Sequence, residues 1–502
     1  MSGSQAAWPR KVFSTEQVRG FDRYAIDNLG IAGFELMQRA GGASLQFLQA
    51  QWPQTRSILV YCGAGNNAGD GYVLAALAIA GGLTARVIAV VDPETLPGDA
   101  ALALAMAREA GVDIASFAAG TEIGDADLIV DALLGTGLTR DVGGSLAQVV
   151  SEINSRSRPV LALDMPTGVD SDTGIVRGVA VSADATITFV GLKAGLYLGS
   201  GPACRGSLGF SDLGLPPTVY DKAHPLLRRL DASDCIQLLQ PRSRTAHKGM
   251  NGKLLVVGGA QCMGGAARMA AETALRAGAG LVYAAVAPSS VKTAMADRPE
   301  IMCHGVAGPE ELAVLAEAVD VIVVGPGLGR GTWGESLCEA IFATDRPLVV
   351  DADALNYLAE HRQRRGNWVL TPNPAEAARL LASSTAEVQA ARDAAASAIA
   401  RDFGAIAVLK GACSLVAEAT EDDQVSISVC DYGNPGMATG GTGDILAGLI
   451  GALIAQFGFS RLAVEVGVLV HSLAGDDAAA EGERGLVASD LLPHIRRLVN
   501  PA

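Results

Sequence analysis

Ser57-Ile58-Leu59-Val60-Tyr61-Cys62-Gly63-Ala64-Gly65-Asn66-Asn67-Ala68-Gly69-Asp70-Gly71 reads as a strand that runs through a glycine-rich turn into a helix. Ile58 to Tyr61 is a continuous apolar run, the mark of a strand buried on both faces. Glycines let the backbone approach a ligand, and the helix N-terminus beyond them offers unpaired N–H groups to an anion. The glycine spacing is G-x-G-x-x-x-G, which differs from the G-x-G-x-x-G dinucleotide fingerprint. A plain tight turn has the same glycines. The polar cluster Asn66 to Asp70 favours a site, because open α/β sheets bind ligands at the carboxyl ends of their strands.

Outward from this unit, strands and helices alternate. Ala85–Val91, Leu128–Asp131, Val160–Asp164 and Ala185–Val190 read as further strands, with alanine-rich helical segments such as Gly98–Ala110 between them. Val73 to Val91 is the longest apolar stretch, but Gly81-Gly82 and Arg86 interrupt it. It reads as helix, turn and strand rather than a membrane span. The pattern weakens from Leu215 to Lys248, where prolines and a basic run intervene. A second series follows: Lys253–Val257, Leu281–Ala287, Val321–Val324, Leu348–Asp351, Trp368–Leu370, Ala405–Leu409 and Val425–Val429. The chain is therefore expected to form two α/β domains with mostly parallel sheets, residues 1–225 and 226–502. No repeat period joins them.

The chain has 502 residues, 38 Lys+Arg and 53 Asp+Glu, for a net charge of −15. That balance argues against a general nucleic-acid binder. Eight scattered cysteines form no C-x-x-C pair, which argues against a zinc finger or disulfide framework and fits a reducing cytoplasm. The first 26 residues are dotted with charges and lack the apolar core of a signal peptide. Small-molecule ligands, with no membrane or nucleic acid, and a homo-oligomeric state are the expectation.

Two further strands of the first half end in an aspartate: Asp131, before Gly135-Thr136-Gly137-Leu138-Thr139-Arg140-Asp141, and Asp164, before Met165-Pro166-Thr167-Gly168. Parallel strands bring these loops to one edge, where Asn, Asp and Thr oxygens converge on a hard cation. Each aspartate alone would pass for a cap or turn residue. Together, from Ser14 to Leu213, the series resembles the NAD(P)H-hydrate epimerase domain of bifunctional NAD(P)H-hydrate repair enzymes. The resemblance implies that Asn66, Asn67, Ala68, Gly69 and Asp70 hold the substrate, with Gly135, Thr136, Gly137, Leu138, Thr139, Arg140 and Asp141. It implies that Asn67, Asp131 and Thr167 bind potassium, and that Asp164 is the substrate-contacting acid/base. Ala64 and Ala68 stand where the family usually has Pro and Gly, so Ala68 fits only if its φ is not positive. Lys193 is either a partner of Asp164 or a solvated strand-end lysine.

In the second half, Asn434-Pro435-Gly436-Met437-Ala438-Thr439-Gly440-Gly441-Thr442-Gly443-Asp444 precedes the apolar helix Ile445–Ala455. Small residues expose backbone N–H groups there as a nest for phosphate. A carboxylate at that point is unsuited to phosphate but suited to taking a proton from a hydroxyl being phosphorylated. The segment resembles the ribokinase-like superfamily. His247-Lys248-Gly249, Gly325-Pro326-Gly327-Leu328-Gly329, Asp351-Ala352-Asp353-Ala354, Leu370-Thr371-Pro372-Asn373-Pro374-Ala375-Glu376 and Leu409-Lys410-Gly411 narrow the resemblance to the ADP/ATP-dependent NAD(P)H-hydrate dehydratase. It implies a Rossmann-like three-layer sandwich followed by a ribokinase-like domain. It implies that Ala266, Gly327, Asn373 and the catalytic Asp444 face the hydrate. Lys410, Gly411, Ala412, Cys413, Ser414 and Gly443 would contact ADP or ATP, used with Mg²⁺. The family usually has His and Gly where this chain has Asn373 and Ala375. Asn hydrogen-bonds but carries no proton near neutral pH. A ribokinase-like small-molecule kinase fused to a ligand domain and a nucleotide sensor are the other readings.

Overall fold

The computed structural model describes residues 8–117, 125–420, 422 and 424–500. Contacts divide the chain into two units, Met1–Leu227 and Arg228–Ala502.

In the first unit a seven-stranded parallel sheet runs in the order Asp113–Ser116, Thr84–Ala89, Ser57–Cys62, Leu128–Ala132, Val160–Leu163, Ala185–Phe189, Ser207–Ser211. Because side chains alternate along a strand, Ile58, Val60 and Cys62 face one way. They pack with Leu36, Met37 and Tyr72 of the helices Gly33–Gln51 and Asn66–Ala80. Leu59 and Tyr61 face the other way and pack with Val149, Val150 and Ile153 of Gly144–Ser155. The unit is thus a three-layer sandwich with apolar surface buried on both sheet faces. Gly63 follows the central strand because a Cβ there would lie 2.1 Å from the Leu133 carbonyl oxygen.

The sheet of the second unit runs Met302–Gly305, Leu281–Val286, Lys253–Val257, Val321–Val324, Leu348–Val350, Trp368–Leu370, Ile406–Leu409, all parallel. It then changes direction: Ser414–Ala419 pairs antiparallel with Ile406–Leu409 and with Val425–Cys430. Leu254 and Val256 pack with the helices Gly264–Arg276, Thr442–Phe457 and Arg461–Ala478. Leu255 and Val257, of opposite phase, are equally buried.

Among the described residues seven strands were not foreseen, three of them only two or three residues long: Lys11–Phe13, Leu192–Lys193 and Leu227–Arg229. Asp113–Ser116 and Ser207–Ser211 are sheet edges with little apolar alternation, and Met302–Gly305 is an edge containing His304. Ser414–Ala419 lies in the stretch read as a nucleotide loop. Five strands also end one or two residues sooner than expected, at Ala89, Leu163, Phe189, Val286 and Val350. After Leu163 and Phe189, the next residues, Asp164 (φ 66°) and Val190 (φ 64°), turn into the left-handed region.

Candidate active sites

The carboxyl edge of the first sheet opens onto a cavity of about 400 Å³. Asn66, Asn67 and Asp70 line it from the first turns of the helix Asn66–Ala80, Gly135 to Gly137 from the loop after Ala132, and Asp164 from the next strand end. Ala68 lies inside the helix Asn66–Ala80 and is not among the positive-φ residues, so alanine fits there. Ala68 and Gly69 are buried, and neither they nor Leu138, Thr139, Arg140 and Asp141 line the cavity. The last three are exposed.

A left-handed β-branched residue such as Val190 is strained, by about 1–3 kcal/mol. Its N–H donates to the Ser211 carbonyl at 2.8 Å, and its own carbonyl accepts the Tyr220 hydroxyl at 2.6 Å. At this turn the Phe189 carbonyl accepts from Lys193 Nζ at 2.8 Å. The same ammonium donates to Thr188 Oγ1 at 2.9 Å and pairs with Asp164 Oδ1. The Lys193 side chain is 1% exposed. It is the partner of Asp164, and the reading of a solvated lysine is set aside. Gly135 keeps the other oxygen accessible, because a Cβ there would lie 3.1 Å from Asp164 Oδ2 and 3.3 Å from Asn67 Oδ1.

Asp131 is fully buried. It accepts from the Thr167 N–H at 2.8 Å, the Thr167 hydroxyl at 2.7 Å and the Leu133 N–H at 3.2 Å. Burial outweighs these bonds and raises its carboxyl to about 6. Among the described residues no ion pair reaches it. The Asn67 amide is buried with neither its oxygen nor its nitrogen hydrogen-bonded. An orphaned amide oxygen and an uncompensated carboxylate are what a bound cation would satisfy. Among the described residues no three His, Cys, Asp or Glu form a cluster for a metal.

Three cavity-lining charges were missed: Arg19, Asp22 and Asp99. Arg19 donates to the Thr136 carbonyl at 2.8 Å. A signal for Asp22 existed. The helix Thr15–Asp27 buries Val18, Phe21 and Ala25, and Asp22 falls on that stripe.

In the second unit the helix Thr442–Phe457 starts after Gly441, at φ 98°, and has no side-chain cap. His471 Nε2 donates to the Thr442 carbonyl at 2.9 Å and holds this turn. Burial lowers the His471 ring to about 4, so it is neutral at physiological pH. Lys410 Nζ reaches Asp351 Oδ1 at 2.7 Å and Glu376 Oε2 at 3.8 Å. Burial alone would lower this ammonium, but Asp351, Glu376 and Asp444 together raise it. A Cβ on Gly443 would lie 3.3 Å from Lys410 Nζ. Asp444 is pushed up to about 7 by burial first and by Asp351 second, against Lys410. Gly327 and Ala266 touch: a Cβ on Gly327 would lie 3.0 Å from the Ala266 methyl group.

Two of the expected residues are constrained by their surroundings. Cys413 is buried, so only its backbone can face a nucleotide, while Gly411 and Ala412 are exposed and Ser414 is half-buried. The loop is held from below by the buried Arg392, which donates to the Leu409, Lys410 and Cys413 carbonyls at 3.3, 3.2 and 3.1 Å. Sequence reading did not find that arginine. Asn373 caps the helix Pro374–Leu380, with Oδ1 accepting from the Glu376 N–H at 2.9 Å and Glu376 returning a bond to its N–H at 2.7 Å. Its amide oxygen is thus engaged, and its NH₂ remains for a ligand.

Both units are α/β sites of one class: strand-end carboxylates paired with a lysine, beside a glycine-rich helix start. The family described as NAD(P)H-hydrate dehydratase matches residues 254–497, and the YjeF-related protein N-terminus matches residues 33–195. The bifunctional NAD(P)H-hydrate repair enzyme Nnr of Coxiella burnetii is 44% identical over 98% of this chain and 99% of its own. That of Escherichia coli is 40% identical over 100% and 96%. Among solved structures, a ribokinase-like superfamily protein of Enterococcus faecalis is 27% identical, with a TM-score of 0.51, over 56% of this chain and 99% of its own. The chain belongs to the family of bifunctional NAD(P)H-hydrate repair enzymes, and its second unit is ribokinase-like.

Lys193→Met would leave the half-buried Asp164 without its counter-charge. Breaking such a pair costs about 3–5 kcal/mol. Thermal unfolding of the first unit in variant and wild type measures the loss. Equal stability in variant and wild type would contradict the pairing.

Proposed function

We propose that the first unit interconverts the R and S epimers of hydrated NADH and NADPH, with Asp164 as acid/base. The second unit removes water from the S epimer at the expense of ADP or ATP. Family membership supports the two activities. The observation that carries the residue assignment is common to both units. One aspartate is held by a lysine, and another carboxyl nearby is left unpaired.

In the second unit Asp444 is the unpaired group. With its carboxyl at about 7 it is well matched to taking a proton from the ring hydroxyl as that oxygen is phosphorylated. Phosphorylation turns a poor leaving group into a good one, which the ring nitrogen's lone pair then expels. In this reading Lys410, Gly443 and the backbone of Gly411 to Ser414 contact the nucleotide. Ala266, Gly327 and Asn373 complete the substrate side. Mg²⁺ bound with the nucleotide would neutralise the charge of its phosphates.

In the first unit potassium is the cation we assign to Asn67, Asp131 and Thr167, on the strength of the orphaned Asn67 amide and the uncompensated Asp131. It would supply a fixed positive charge beside the substrate loops. The Lys193 ammonium does not take that role, being bound to Asp164, Thr188 and Phe189. Among the described residues no helix is long and apolar enough to cross a membrane. The net charge of −15 favours small-molecule ligands over nucleic acid, and a cytoplasmic homo-oligomer belongs to the same reading.

Potassium should raise the thermal transition of the first unit relative to tetramethylammonium at equal ionic strength, and Asp131→Asn should remove the increment. No difference between the cations would contradict the site. Asp444→Asn keeps size and hydrogen bonding but loses basicity. Nucleotide affinity by calorimetry should hardly change, while S-hydrate turnover falls ~10²–10⁴-fold. A base must be ionised, so the wild-type rate should fall tenfold per unit as pH drops below about 7, and the variant should lack that limb. Turnover within threefold of wild type would remove the base role, and lost nucleotide binding would make Asp444 structural.

A further inference from the structure

Asp22 occupies a position where helix periodicity calls for an apolar side chain. It lies four residues after the buried Val18 and three before the buried Ala25. A carboxyl on that stripe is costly unless it is paired. Among the described residues no hydrogen bond or ion pair reaches it. It lines the same cavity as Asp164 and Lys193. The packing of the helix does not require a carboxyl here, whereas the cavity has a use for one.

We propose that Asp22 is a second acid–base residue of the epimerase, working with Asp164 on the ring carbon that bears the hydroxyl group. This rests on the epimerase reading of the first unit. Inverting that carbon requires its C–O bond to break and reform on the other face. In one direction Asp22 gives its proton to the hydroxyl oxygen. The C–O bond breaks, water leaves, and the ring nitrogen's lone pair forms C=N. A water then adds to the opposite face, the C=N pair returns to nitrogen, and Asp164 takes the proton that the water loses. One water leaves and one enters, and one proton has passed from Asp22 to Asp164. The reverse reaction uses the two groups in exchanged roles, so neither can be fixed in one protonation state.

The groups around Asp22 single it out for this work. Arg19 lies on its own helix, Asp70 on Asn66–Ala80 and Asp99 on Gly98–Glu109. Asp164 and Lys193 stand at strand ends, and Tyr220 lies close enough to feel its charge. Burial raises the Asp22 carboxyl, Lys193 opposes this and Asp164 adds to it, leaving it at about 6. Burial, then the charges of Asp164 and Asp22, also raise the Asp70 carboxyl well above the usual carboxylate range. Asp164 is engaged by Lys193. Asp22 is the carboxyl free to exchange a proton near neutral pH.

The test uses the full chain and the separated R hydrate of NADH without nucleotide, with S formation followed by chromatography. Asp22→Asn should lower kcat by ~10²-fold or more. An acid must be protonated, so the wild-type rate should decline as pH rises past the Asp22 carboxyl, and the variant should lose that decline. Asp22→Glu should recover at least tenfold over Asp22→Asn. The thermal transition of the first unit should be unchanged or higher in Asp22→Asn, because an unpaired charge has been removed. A rate within threefold of wild type would overturn the proposal. So would a change confined to KM with the pH profile intact. Asp22→Glu as slow as Asp22→Asn, or a lowered thermal transition, would assign a structural role instead. A wild-type chain that does not epimerise the R hydrate would overturn the epimerase reading itself, before any variant is compared.

Discussion

A lysine ammonium withdrawn from water has to be matched by a carboxylate, and each unit is organised around one such match. Lys193 takes Asp164 in the first, and Lys410 takes Asp351 in the second. Each pair uses up one carboxylate and leaves its neighbours without a partner. Burial and the like charge of the paired aspartate then push those neighbours upward: Asp22 and Asp70 in one unit, Asp444 in the other. Carboxyl groups of one chemical type are thereby given different surroundings, one held by a lysine and its neighbours shifted upward.

The backbone serves these pairs. Asp164 itself and Val190, three residues before Lys193, in the first unit, and Ala352, next to Asp351, in the second, adopt left-handed conformations. Such strain persists only where surrounding bonds over-determine it. A glycine stands against each pair as well. Gly135 faces Asp164 Oδ2, and Gly443 faces Lys410 Nζ, at distances where a Cβ would crowd the polar atoms. The missing side chains leave room for a substrate to reach the charged groups. The apolar sheets, buried on both faces, supply the rigid edge from which the loops project.

The central strands were legible because burial on both faces demands unbroken Val, Ile and Leu. The loops after Tyr61, Asp131 and Asp164, and the helix start at Thr442, were legible because polar and small residues interrupt those runs at one edge. What was not legible follows from the same physics. Edge strands such as Ser207–Ser211 bury too little to need an apolar pattern. Lys193 stayed ambiguous because nothing local distinguishes a lysine folded back on its strand end from one in water. Arg392 grips carbonyls some 17 to 21 residues away in sequence, a relation spacing does not encode. Leu138 to Asp141 were expected against the substrate, yet they fall outside the cavity lining. Asp22 broke the helical period in plain view, but a single charge on a stripe gains meaning only once the cavity beside it is known.

The account divides the two chemistries between Asp164 and Asp444, and one assay addresses that division. A fixed mixture of R and S hydrates of NADH is incubated with ATP and each chain, and recovery of reduced nicotinamide absorbance is followed together with the epimer ratio. The wild type should convert both epimers. Asp164→Ala should recover the S fraction and then slow to the uncatalysed epimerisation rate. Asp444→Asn should recover almost nothing while still equilibrating R with S. Loss of both activities in either variant, or full recovery by Asp164→Ala at the wild-type rate, would contradict the account.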